Sequence, residues 1–223
     1  MRYASIPNRD RSAPITTPHQ NPSAAASRRR QNNPRGQGGR LREELIAAAS
    51  AMVSGAGNAS QLSMRAVAAE VGVAATSVYL HFTDIDELKV AVAERGFADL
   101  ARVRDAALAE IDDPAEALVA RCLTYAQFGL AHPGQYRLMF GSELSASVVT
   151  QAYDAENSAI RSAYDALTYA IRRCQQSGAA PDDADPVLLA ALLWPALHGQ
   201  VSMRIDRPHF PRPPLDEVIT QTV

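Results

Sequence analysis

The chain has little with which to cross-link, chelate or react. Its two cysteines, Cys122 and Cys174, stand far apart and in no close motif. That fits buried thiols in a reducing compartment better than a disulfide framework. Five histidines (His19, His81, His132, His198 and His209) lack metal-ligand spacing, so neither a metal nor a cofactor is expected. There is no Gly-x-Ser-x-Gly elbow and no His-Glu-x-x-His pair. Gly36-Gln37-Gly38-Gly39 has no strand before it and no Lys-Ser/Thr after it, which makes it a linker rather than a phosphate loop. No enzyme is expected. Long hydrophobic runs are also missing. The polar, Pro-rich start carries no apolar segment of the secretory kind. The longest apolar stretch, 187–197, contains Pro195 and falls short of the ~20 residues that span a bilayer. A cytoplasmic protein without a membrane partner is the expectation.

What is present suits a helical protein. Apolar residues make up 47% of the chain and aromatics 6%, Ala is abundant, and no period-two strand pattern occurs. Charge is distributed unevenly. Residues 1–40 hold eight Arg against one acidic residue, a net +7 that leaves −9 for the rest of a chain whose formal charge is −2. A basic arm on an acidic body is the asymmetry of a nucleic-acid binder whose body faces away from the phosphates. Residues 1–38, with Pro7, Pro14, Pro18, Pro22 and Pro34 among polar residues, read as a disordered arm. Arg28-Arg29-Arg30, Arg35 and Arg40, just ahead of the first helix, fit an arm that tracks phosphates or enters a minor groove beside the recognition site, the alternative being a solubilising tail or a mis-assigned start.

The most informative stretch is 62–82, LSMRAVAAEVGVAATSVYLHF. Ser63 can cap a helix over 63–70. Val67, Val71, Val73 and Val78 supply spaced apolar contacts, Ala68 lets two backbones approach, and Gly72 can take φ > 0 in a turn. A second helix over 74–80 is too short to stand without packing. This is the spacing of a helix-turn-helix, whose second helix enters a DNA major groove. Helix 41–54 precedes it, and a long helix over 85–110 follows, with Asp84 and Glu87 set as a capping box. Leu88, Val92, Leu100, Val103 and Leu108 form its inner side.

Tyr79-Leu80-His81-Phe82 followed by Thr83-Asp84-Ile85-Asp86-Glu87-Leu88 resembles the end of the DNA-binding domain of TetR/AcrR-type transcriptional repressors, and the likeness runs from about Leu41 to Val90. It implies DNA contacts from Arg40, Ser63, Arg65, Ala75, Thr76, Ser77, Tyr79 and His81. Arg65 has the fork that matches a guanine edge, while Tyr79 and His81 would touch phosphate. The chain departs from the pattern at Ala74, where a capping Ser is common. It departs again at Ala75, where a long polar residue is common, and at Ile85, where Lys is common. Fewer charged contacts imply either modest affinity or greater reliance on the Arg-rich arm.

Helices are expected over 115–131, 134–141, 146–177 and 184–204, with 207–223 a Pro-rich tail. The last helix is apolar nearly all round, and a second subunit is the natural cover for it. His132-Pro133-Gly134-Gln135-Tyr136-Arg137-Leu138-Met139-Phe140, and later Trp194 with His198-Gly199, look like the regulatory domain of one TetR-type branch. Tyr125, Phe128, Met139, Trp194 and His198 are candidates for an effector cavity.

The expected fold is therefore all-α: a three-helix DNA-binding head over 39–90 and a helical effector-binding and dimerisation bundle over 91–206. The function that the resemblance implies is a repressor, released from a double-stranded, pseudo-palindromic DNA operator by a small-molecule effector, and a homodimer through its last two long helices. The alternative is a helical small-molecule-binding or interaction protein without operator binding.

Overall fold

The computed structural model describes residues 38–141 and 143–223. The Arg-rich arm falls almost wholly outside them. Among the described residues the regular structure is ten helices and no strand.

The head is built from α1 (Gly38–Ala56), α2 (Met64–Val71) and α3 (Ala75–Val78). Ser63 is extended, and its hydroxyl oxygen accepts the Ala66 amide at 3.1 Å, which caps α2. Gly72 sits at φ 75, and the amides of Gly72 and Val73 return to the carbonyls of Ala69 and Ala68. The chain therefore turns sharply at the one residue without a Cβ penalty. α3 is a single turn, shorter than expected over 74–80, and its N-cap Ala74 makes no side-chain hydrogen bond. Beyond it the amides of His81 and Phe82 both bond to the Val78 carbonyl. Packing holds this short helix: Val67, Val78 and Phe82 are sealed against Leu45, Ala49 and Val53 of α1.

α4 (Ile85–Leu108) leads out of the head. Asp84 caps it by accepting the Glu87 amide at 2.9 Å. Glu87 turns back to Thr83, accepting from its amide at 2.6 Å and its hydroxyl at 2.7 Å. The capping box forms, with its return bond one residue earlier than the usual N-cap amide. Leu88, Val92, Phe97 and Leu100 face inward, whereas Val103, expected inside, is 39% exposed.

The bundle comprises α5 (Pro114–Ala131), α6 (Pro133–Phe140), α7 (Ala146–Asp154), α8 (Ala159–Gln176), α9 (Pro186–Asp206) and α10 (Leu215–Thr222). Two expectations are corrected here. The single helix over 146–177 is two, broken where Asn157 adopts φ 60 and Ser158 caps α8 by accepting the Arg161 amide. The segment 207–223 is not merely a tail. Its α10 lies on α5 and α9 with Ile219 fully buried. The helix expected over 184–204 forms as α9, which takes in the apolar stretch 187–197. By length and composition α9 could cross a membrane. Its Ala190, Leu197 and Val201 are instead buried on the bundle.

Among the described residues there are two apolar cores. One runs through α1–α4 and takes in Phe128, Leu138, Met139 and Leu144; the other joins α5, α8, α9 and α10 around Tyr136. The head is thus not packed separately from the bundle, because α6 contributes to both cores. At its start, Gly134 lies against α1. A Cβ there would overlap the Val53 carbonyl oxygen and come within 2.9 Å of the Gly57 carbonyl carbon. Arg137, one turn on, donates to the Gly57 carbonyl and to Asp206, each at 2.8 Å. The Glu143 carboxylate accepts the Ala59 amide at 2.9 Å.

The Gly134→Ala variant separates local propensity from packing. Ala should favour helix by ~1 kcal/mol, but the atoms it meets are backbone and cannot rotate away. A net loss of roughly 2 kcal/mol is expected, read as a lower midpoint in urea unfolding. An unchanged or higher midpoint would show that α6 and α1 do not meet this closely.

Candidate functional site

On the head, the sequence-derived contact residues fall at the α2 and α3 surface. Arg65 is exposed on the first turn of α2. Thr76 is exposed on the side of α3 away from the buried Val78, and Tyr79, one turn further, is 57% exposed. Ala75, Ser77 and His81 are half-buried, and Ala75 packs against the head core. Ser63 uses its oxygen lone pair in the α2 cap, which leaves its hydroxyl proton free to donate. Arg40 is exposed on α1 and pairs with Glu44 at 3.0 Å, a surface ion pair that a phosphate could replace at little cost. The structure adds Arg42, whose guanidinium lies 5.0 Å from the centre of the Phe82 ring and steadies the exit from α3. A cation and an aromatic so far apart in sequence gave no local signal.

In the bundle, a cavity of about 400 Å³ opens at the seam between the two cores, within the ~300–1,000 Å³ usual for small-molecule sites. α4 supplies Ala93, Phe97, Leu100 and Arg104, and α5 supplies Arg121, Cys122 and Tyr125. Met139 and Phe140 come from α6, and Trp194 and Leu197 from α9. Val149 and Tyr153 of α7, each 38% exposed, bring its wall to the surface.

Three of the five candidate cavity residues, Tyr125, Met139 and Trp194, therefore line one space. Phe128 and His198 do not. Phe128 is buried in the head-side core and leans on His132 at 4.9 Å between ring centres. His198 faces a separate, smaller recess beside Tyr136 and Arg137. It is part of a polar chain that begins at the large cavity. Tyr125 and Tyr136 share a hydroxyl bond at 2.8 Å. Tyr136 meets His198 Nδ1 at 2.7 Å, and His198 Nε2 meets Ser202 Oγ at 3.2 Å. With a neutral imidazole every bond can be made: Tyr125 donates to Tyr136, Tyr136 to Nδ1, and the Nε2 proton to Ser202. Burial favours that state by holding His198 below its ordinary pKa and by pushing the Tyr136 hydroxyl up to about 12.

Both cysteines are free and buried, as expected. Burial raises the Cys122 thiol to about 12, which keeps it protonated and unreactive. Arg104 and Arg121 are the cavity residues that sequence reasoning missed. Charged residues on a helix ordinarily face water, and nothing local marks these two as turned inward.

A small head presenting exposed polar side chains on a helix-turn-helix, joined to a helical bundle with its own cavity, defines a ligand-binding DNA-binding regulator. Comparison with known proteins agrees. Residues 45–92 match the model for bacterial regulatory proteins of the tetR family, and residues 118–223 match that for a tetracyclin repressor-like C-terminal domain. The two matches together take in most of the chain, which belongs to the TetR family of transcriptional regulators. Among solved structures, it is similar to a protein of unknown function from Rhodococcus sp. RHA1, at 26% identity and TM-score 0.64, covering 81% of this chain and 90% of that one. It is also similar to the fatty acid degradation regulator FadR from Bacillus halodurans, at 14% identity and TM-score 0.65, with 86% and 94% covered. A third is the TetR family regulator PfmR from Thermus thermophilus, at 20% identity and TM-score 0.54, with 79% and 93% covered. The last two likenesses speak for the fold alone.

Proposed function

We propose that this chain is a homodimeric repressor that a small molecule releases from a pseudo-palindromic operator. The cavity carries this reading. Its walls include α4 and α6, the two helices on which the head rests, so a molecule that fills it presses on the elements that aim the head. The working division is a head over 39–90 and an effector-binding body over 91–206, with α4 common to both. Tyr125, Met139 and Trp194 belong to the effector site. His198 acts one step away, through Tyr136. The Trp194…His198-Gly199 signature, with its two rings 5.8 Å apart, supports membership of the branch that the sequence resembles.

DNA is read by α3 with help from α2 and α1. Arg65 offers the bidentate fork for a base edge. Thr76, Ser77 and Tyr79 supply hydroxyls, and Ala75 a methyl surface. Arg40, Ser63 and His81 hold phosphates. The cytoplasm, where the operator lies, is the matching location.

The second copy docks on the outer faces of α8 and α9. Tyr169 is 59% exposed there, with Leu188 and Leu192 at 56% and 64% and Met203 nearby. Such a stripe is costly to leave in water, and a symmetric four-helix contact covers it without calling on a lipid bilayer. Two heads then meet successive major grooves ~34–36 Å apart. The effector favours a state in which the heads no longer match that spacing, and it shifts the operator equilibrium by no more than its own preference between states.

Arg65→Ala should weaken binding to the operator, sought in the DNA flanking the coding region, by roughly 1–3 kcal/mol. Its unfolding midpoint should hold, because the side chain is exposed. Unchanged affinity in fluorescence anisotropy would remove Arg65 from the contact list. Leu192→Asp should give a monomer in sedimentation and lose operator retention with it. A Leu192→Asp protein that still sediments as a dimer would move the interface away from α9.

A further inference from the structure

The cavity is not uniformly apolar. It runs along α4 from Ala93 to Arg104, roughly 16 Å of helix. Most of its wall is Phe97, Leu100, Met139, Ile160, Leu167 and Trp194. Two guanidinium groups also line it, Arg104 from α4 and Arg121 from α5, and among the described residues no lining residue is acidic. Arg104 is already neutralised, since its Nε and Nη2 both donate to Asp105, at 2.9 and 2.7 Å. Arg121 is different. Its Nε is buried without a hydrogen-bond partner, and no described residue forms an ion pair with it. A half-buried guanidinium with one N–H sealed from water and unpaired is costly to hold, and the like charge of Arg104 adds to that cost while Asp105 relieves part of it.

We propose that the cavity binds an elongated, apolar monocarboxylate, with its carboxylate on Arg121 and its hydrocarbon body along the Phe97–Trp194 wall toward Ala93. The carboxylate supplies both acceptor oxygens and the missing negative charge. Arg104 adds a second, weaker attraction. A neutral amphiphile of the same shape would fill the apolar wall but leave Arg121 unpaired. This inference deepens the effector-release reading and rests on it for its biological meaning, though the binding itself can be measured alone.

The chain has one tryptophan, and it lines the cavity, so Trp194 fluorescence reports occupancy directly. Decanoate and its neutral counterpart decanamide are the probes, titrated into the full-length protein. Decanoate should bind roughly ten-fold or more tightly than decanamide, as charge-assisted pairing requires. Arg121→Met should bring decanoate down to the amide's affinity while leaving the amide's own affinity in place. Arg121→Lys, which keeps the charge, should retain part of the preference and guards against a Met variant that does not fold. Equal binding of the two probes, no binding of either, or an Arg121→Met protein that keeps the preference would overturn the proposal. An operator assay separates this from the reading beneath it. If decanoate binds with the stated preference yet leaves the operator held, the anion site stands and release by its ligand falls. If a neutral compound releases the operator and decanoate neither binds nor releases, release stands and the anion site falls.

Discussion

The structure depends on the contact between the first turn of α6 and the backbone of α1. Gly134 lets α6 sit where any side chain would strike the Val53 carbonyl, and Arg137 then reaches the Gly57 carbonyl at the end of α1. That contact makes the head and bundle share one core, since Leu138 and Met139 pack with Leu88, Val92 and Phe97 of α4. The other face of α6 carries Tyr136 into the second core. An eight-residue helix is too short to hold its own shape in water. It persists because both cores close on it, and it is therefore sensitive to either.

That position gives the cavity its meaning. The space lies where the two cores fail to meet, and α4 and α6 form part of its wall. A ligand there need not push on the head from a distance, because it touches the helices that the head is built upon. Cores packed to crystal-like density transmit such displacements rather than absorb them. The Tyr125–Tyr136–His198–Ser202 chain adds a polar link from the cavity wall to α9, the helix assigned here to the subunit contact.

Much of the head was legible in sequence because its determinants are local. Ser63, Gly72, Asp84 and Glu87 act within a few residues of where they stand, and Val67 and Val78 mark the buried side. The bundle was legible as helices but less so in its breaks. Asn157 tolerates the left-handed region and Ser158 can cap, yet apolar residues on either side kept the helical rhythm and hid the interruption. Leu215 and Ile219, four apart on either side of acidic Asp216 and Glu217, were a genuine helix signal masked by the prolines before them. Side-chain direction was the least legible feature. Phe128 and His198 sit on helices that border the cavity but face elsewhere, and Arg104 and Arg121 look in sequence like surface charges. Which way a residue faces there is decided by long-range packing, which periodicity alone does not encode.

α6 couples the bundle to the DNA-binding head, and Arg137→Met weakens that coupling at the side chain that hydrogen-bonds across to the end of α1. Arg137 is assigned no contact with DNA; its hydrogen bonds go to Gly57 and Asp206. Operator affinity would be measured by fluorescence anisotropy for the wild type and the variant, without effector, alongside their unfolding curves. Affinity should fall roughly five-fold or more while the protein stays folded and dimeric. A folded, dimeric Arg137→Met protein that binds the operator as tightly as the wild type would contradict it.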